Sequence, residues 1–136
     1  MQMPSPRARD LRALGLAAFL ASAGAMHFLQ PEFFDPIVPP WMPGRPRTTT
    51  YASGVAELTS AALVAVPATR RVGGWVAAAT FVGVFPANID VAVRGGMRWL
   101  DPPFDSAPAA WLRLPLQLPL IGWARRVALD ASPTRR

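Results

Sequence analysis

Cysteine is absent from this chain, which excludes disulfides, thiol relays and thiolate metal sites. Lysine is absent too, so all 14 basic residues are arginines, and they stand against 8 acids for a net charge of +6. There is one histidine and one tyrosine, and only 16% of residues are charged. A lone histidine without cysteine is a poor start for a haem or transition-metal centre. No glycine-rich strand–turn–helix segment is present to cradle a nucleotide phosphate. The basic excess would suit nucleic acid, but the arginines come in pairs at the edges of apolar segments, with no basic tract interleaved with aromatics, and nucleic acid is not expected as a partner. No metal and no cofactor are expected.

What the chain does have is apolar length and proline: 51% hydrophobic residues and 16 prolines in 136 positions. The central stretch is Val72–Ile89, which carries no charge. At about 1.5 Å per residue it approaches the roughly 30 Å hydrocarbon layer of a bilayer. It follows the basic pair Arg70 and Arg71 and runs into Pro86, Asn88 and Asp90. Pro86 is expected to interrupt the helical hydrogen-bond ladder there. Gly73, Gly74, Ala77 and Ala78 give its first half a slim profile.

Three further apolar segments flank it. Residues 13–30 follow Arg7, Arg9 and Arg12 and hold His27 near their far end. A cleaved secretory signal would share the basic start and the small-residue run Ala21–Ala25. The apolar character continues through Met26, Phe28 and Leu29, however, and favours a retained helix. In it the pairs Ala18/Ser22 and Ala21/Ala25 would allow close helix contact. Residues 50–67 hold a single charge, Glu57, on a face with Gly54, Ala61 and Val64. Residues 107–124 reach a spanning length only by taking Arg113 into the apolar zone, and Pro115 and Pro119 predict a kinked or partly opened helix.

Between the first two segments lies Gln30–Thr50, with prolines at 31, 36, 39, 40, 43 and 46. Pro31 suits the first position of one short helical turn, with Glu32 near its positive end. Phe33, Phe34, Ile37, Trp41 and Met42 give the connection an apolar side. It reads either as an interfacial anchor or as a lid over a ligand cavity.

The reading is therefore all-α: a polytopic membrane four-helix bundle with helices at about 13–30, 50–67, 72–91 and 107–124. Residues 1–12 and 125–136 are polar tails. Nine arginines and two acids fall in the tails and the 70–71 turn, whereas the two long connections hold four of each sign. The positive-inside bias puts both termini in the cytoplasm and the long connections outside.

That topology gathers His27, Glu57, Asn88, Asp90, Arg113 and Gln117 in the outer half. Charges in hydrocarbon face the interior and pair, so Glu57 is expected to pair with Arg113, with Gln117, Asn88 and His27 completing hydrogen bonds. Three functions are open to such a cluster: a structural polar knot, a pocket for a small molecule or quinone headgroup, and a proton path. A nucleophile built from Ser53 or Ser60 beside His27 is a remoter reading.

The same residues form a pattern. Met26-His27-Phe28-Leu29, Pro31-Glu-Phe-Phe-Asp-Pro36, Pro43-Gly44, Tyr51-Ala-Ser-Gly54 with Glu57, Phe85-Pro-Ala-Asn88 and Leu114-Pro-Leu-Gln-Leu-Pro119 resemble the DoxX-like family of small bacterial membrane proteins. The resemblance covers about residues 13–124. It implies a four-helix protein of the bacterial inner membrane. It also implies an accessory role in a quinol-dependent or other redox system, with His27, Glu57, Asn88, Arg113 and Gln117 as interior polar residues. Dithiol chemistry found in the wider group is closed to a chain without cysteine. The partners in view are the lipid bilayer, membrane redox subunits or a second copy of the chain. An enzyme or carrier using Glu57 and Arg113 on a small lipophilic molecule is the alternative.

Overall fold

The computed structural model describes residues 4–131, and among these every regular element is helical. In order they are α1 (Pro6–Leu29), α2 (Pro31–Phe34) with a 3-10 turn at Asp35–Ile37, α3 (Pro46–Ala65), α4 (Arg70–Val93), α5 (Ala107–Arg113), a 3-10 turn at Leu114–Leu116, and α6 (Gln117–Asp130). Two helices, α1 and α4, are long and apolar enough to cross a membrane, with mean hydropathies of 1.3 and 1.7. In α3, Thr48–Thr50, Ser53, Glu57, Thr59 and Ser60 lower the hydropathy, and the 3-10 turn divides α5 from α6.

The helices stack in the order α1, α3, α4, α6, and α1 touches α6 only lightly. Their common core is built from Leu16, Leu20, Val64, Phe81, Ala124 and Val127. Close approach is made by glycines. A Cβ on Gly54 would stand 2.6 Å from the Phe28 ring and 2.9 Å from the His27 Cβ, and one on Gly24 would stand 3.0 Å from the Gly54 carbonyl oxygen. Gly73 and Gly74 do the same for α4. The expected contact through Ala18 and Ser22 is not the one formed: both face outward, and the Ser22 hydroxyl donates to the Ala18 carbonyl of its own helix at 2.8 Å.

Several boundaries differ from those read in the sequence. Residues 1–12 are not simply a tail. The helix begins at Pro6, because Ser5 caps it by accepting from the Ala8 N–H at 3.2 Å and proline is preorganised for the first turn. Met1–Met3 lie outside the described residues. At the other end α6 continues past residue 124 to Asp130, since Val127 and Ala128 extend its buried face. Residues 132–136, with Arg135 and Arg136, also lie outside the described residues. The segment 107–124 is opened by the 3-10 turn into two helices, the second of the two forms expected, because Pro115 cannot donate to the ladder. Pro86, by contrast, is carried inside an unbroken α4 that runs to Val93.

Ion pairs tie the elements at both ends. Asp10 accepts from Arg70 at 2.7 Å and Arg12 pairs with Asp130, so the start of α1, the α3–α4 turn and the end of α6 meet at one end. The connection after α1 meets the end of α4 at the other, where Arg94 donates to the Pro36 carbonyl at 3.1 Å.

Candidate functional site

The proline-rich connection is a lid, held at three points besides the Arg94 bond to Pro36. Asp35 accepts from Arg47 Nε and from the Thr50 hydroxyl, both at 2.8 Å, and Arg47 also reaches Glu32 at 3.2 Å. The Trp41 indole donates to Asp90 at 3.3 Å, and Asp90 is itself paired with Arg94. Phe34 stacks on the His27 ring, with centroids 3.8 Å apart and planes 21° from parallel. Six prolines lower the entropy of the open segment, so a few contacts suffice to seat it. Asp35→Ala should free the lid by removing two charge-assisted hydrogen bonds, at a cost of about 1–3 kcal/mol. The expected sign is faster hydrogen exchange over residues 33–45 with unchanged protection in α4; uniform loss across the chain would mean that Asp35 supports the whole fold instead.

Beneath the lid is a cavity of about 240 Å³. Phe34, Ile37, Val38, Pro39 and Met42 form its roof. Its walls come from α1 through His27, from α3 through Thr50, Ser53 and Glu57, from α4 through Gly83, Ala87 and Asn88, and from Arg113 at the end of α5. Helical spacing places Gly54, Glu57, Ala61 and Val64 together on the buried face of α3, as the sequence indicates, and Thr50 joins them.

The cluster is organised differently from the sequence-based expectation. Glu57 pairs with His27, not with Arg113: its Oε2 lies 3.2 Å from His27 Nδ1. The cause is the glycine crossing, which brings α1 against α3 at the level of His27 and Glu57. The His27 Nδ1 also lies 2.8 Å from the Ala23 carbonyl, the shorter contact and the one that takes its hydrogen. Glu57 Oε2 is thus buried with the ion-pair contact to the imidazole alone and no well-directed hydrogen bond. Such a group is costly unless something donates to it.

Asn88 and Gln117 form a second unit. Asn88 donates to Gln117 Oε1 at 3.0 Å, and Gln117 donates to the Phe81 carbonyl at 2.9 Å, fastening α6 to α4. Arg113 donates to the Met97 sulfur and makes no ion pair among the described residues. It borders both the lidded cavity and a larger apolar one of about 630 Å³, lined by Phe33, Met97, Leu100, Phe104, Leu112 and Leu116. Asp90 stands outside the cavity and latches the lid. Ser60 is spent on its own helix, donating to Ala56 at 2.7 Å, whereas Ser53 faces the cavity.

Sequence reasoning missed Thr50 and the Asp35–Arg47 latch. Thr50 lies seven residues before Glu57, two helical turns along the same face, which was the available signal. Nothing local marked Asp35 as its partner. Among the described residues no third metal-ligating side chain joins His27 and Glu57.

No curated protein and no solved structure matches this chain. One family model does, over residues 16–128, which take in nearly all of α1 to α6 and every residue of the lidded cavity. That model is described as a domain of unknown function, and the chain belongs to this family, DUF8561.

Proposed function

We propose that this chain is a multi-pass protein of the bacterial inner membrane, DoxX-like in kind, that binds a small lipophilic molecule in the cavity beneath its lid. The four spans are α1, α3, α4 and the α5–α6 pair, with both termini cytoplasmic and the lid outside. The gathering of Asp10, Arg12, Arg70 and Asp130 at one end and of the lid at the other supports that topology. So does the arginine bias of the α1 start, the α3–α4 turn and the α6 end.

The observation that carries the binding reading is the orphaned Glu57 Oε2 at a lidded cavity of mixed lining. A ligand hydroxyl or N–H would satisfy it, and Arg113 and Asn88 stand on the same walls for an acceptor oxygen. The apolar lid and the neighbouring apolar cavity suit a hydrocarbon portion. A quinol-type headgroup has this donor–acceptor character, and that is where the resemblance to a redox accessory component and the geometry meet.

Native mass spectrometry of protein gently extracted from its own membrane tests this. The wild type should retain a discrete small molecule, and Glu57→Gln should retain at least about tenfold less, as expected when a charged hydrogen-bond acceptor is lost. Wild type that carries no ligand but copurifies with a partner subunit would transfer the role to accessory architecture.

A further inference from the structure

The seam between α1 and α6 is the loosest in the stack, and it is built unlike the others. Contacts across it include Arg12 with Asp130, Arg9 donating to the Asp130 carbonyl at 3.4 Å, the Trp123 indole donating to the Arg12 carbonyl at 3.0 Å, and Phe19 beside Trp123 with ring centroids 6.2 Å apart. Around them is a groove of about 380 Å³ lined by Arg12, Pro119, Gly122, Trp123 and Arg126. Gly122 leaves it open, since a Cβ there would meet nothing within 4 Å. Asp130 holds the Arg12 side chain in place. Arg126 is exposed and has no ion pair or hydrogen bond among the described residues.

The groove lies at the arginine-rich end of the molecule, where Arg71 and Arg125 add charge and the acids Asp10 and Asp130 are already paired. It therefore combines an uncompensated guanidinium, an indole with its N–H anchored, and an apolar flank that begins at Phe19. Arginine supplies a planar donor fork for a phosphate, and tryptophan favours the boundary between headgroups and hydrocarbon.

We infer that the α1–α6 groove binds the headgroup of an anionic phospholipid, with its phosphate on Arg126 and its acyl chains along the flank past Trp123 and Phe19. The lipid fills the groove along this lightly held seam. This site presupposes the membrane placement proposed above but not the lidded cavity.

The test is thermal unfolding of the full chain, delipidated in neutral detergent, with phosphatidylglycerol or phosphatidylcholine of identical acyl chains. Phosphatidylglycerol should raise the midpoint by about 5 °C more than phosphatidylcholine. Arg126→Gln should abolish that difference, and Arg125→Gln, outside the groove, should keep it. Native mass spectra from equimolar mixed micelles should show the phosphatidylglycerol adduct enriched several-fold in the wild type and not in Arg126→Gln. Equal midpoints in the two lipids would overturn the site, as would equal losses in the two variants, which would signify diffuse attraction. The same rise with inorganic phosphate alone would also overturn it, by revealing a free-anion site. A chain that fractionates without detergent would instead overturn the membrane placement itself.

Discussion

Gly74→Val should sharply lower the yield of folded protein. A Cβ at Gly74 would lie 2.6 Å from the Ala128 nitrogen and 2.8 Å from its Cα, and one at the adjacent Gly73 would lie 2.6 Å from the Leu63 carbonyl carbon and the Val64 nitrogen. These are backbone atoms, so no rotamer change relieves the clash. Moving α4 away from α6 to accommodate the side chain would drive it into α3, because neighbouring glycines serve the two contacts on opposite sides. Overpacking of one site costs about 1–3 kcal/mol, and a branched side chain wedged between two backbones belongs at or beyond the top of that range. Against a domain stability of only about 5–15 kcal/mol that is a large fraction, and folded yield should fall well below that of the wild type. Gly83 is the internal control: it lies in the same helix, and a Cβ there meets nothing within 4 Å. Gly83→Ala should be neutral or should stabilise by about 0.5–1 kcal/mol, since glycine disfavours a helix interior. Folded yield after detergent extraction separates the two. Equal yields would contradict the α4–α6 contact.

The second large effect concerns Glu57. Glu57→Gln and His27→Gln should each destabilise the protein by about 1–3 kcal/mol, because each leaves a buried polar partner behind. The double substitution should cost less than the sum by about 1 kcal/mol or more, the sign of direct coupling. The corresponding cycle between Glu57 and Arg113 should be additive to within about 0.5 kcal/mol, as Arg113 engages the Met97 sulfur. Denaturant or thermal midpoints of the five variants and the wild type decide it. Additivity with His27 and coupling with Arg113 would reinstate the arginine as the partner. The distinction bears on function: if His27 is the partner of Glu57, the guanidinium of Arg113 is not neutralised by that carboxylate and faces the cavity.

Much of the helical layout was legible along the chain. Uncharged runs bounded by arginines and prolines marked four segments, and helical periodicity placed Gly54, Glu57, Ala61 and Val64 on one buried face. Pro31 starts a short helix with Glu32 in its first turn, as its fixed φ and missing N–H dictate. These are local facts, set by backbone geometry and by the solubility of each side chain. The depth of His27, Glu57 and Asn88 was equally readable, since it follows from counting residues along apolar helices, and all three line the cavity together with Arg113.

Which of those residues touch was decided elsewhere. Glu57 meets His27 because Gly24 and Gly54 let α1 and α3 approach backbone to backbone, and the order of helices in the stack is not written in any one segment. Asp90 leaves the cluster to hold Trp41, and Asp35 finds Thr50 across the lid, because closing the connection brings distant positions together. The start of α1 was local but was masked by the polarity of its first two turns, whose charges are stabilised by Arg70 and Asp130 from other elements. Composition and periodicity alone determined that this chain forms apolar helices with polar residues near one end. Only the packing of those helices determined pairing, and with it the orphaned carboxylate oxygen at the cavity, because a hydrogen bond depends on tenths of an ångström that no one-dimensional spacing encodes.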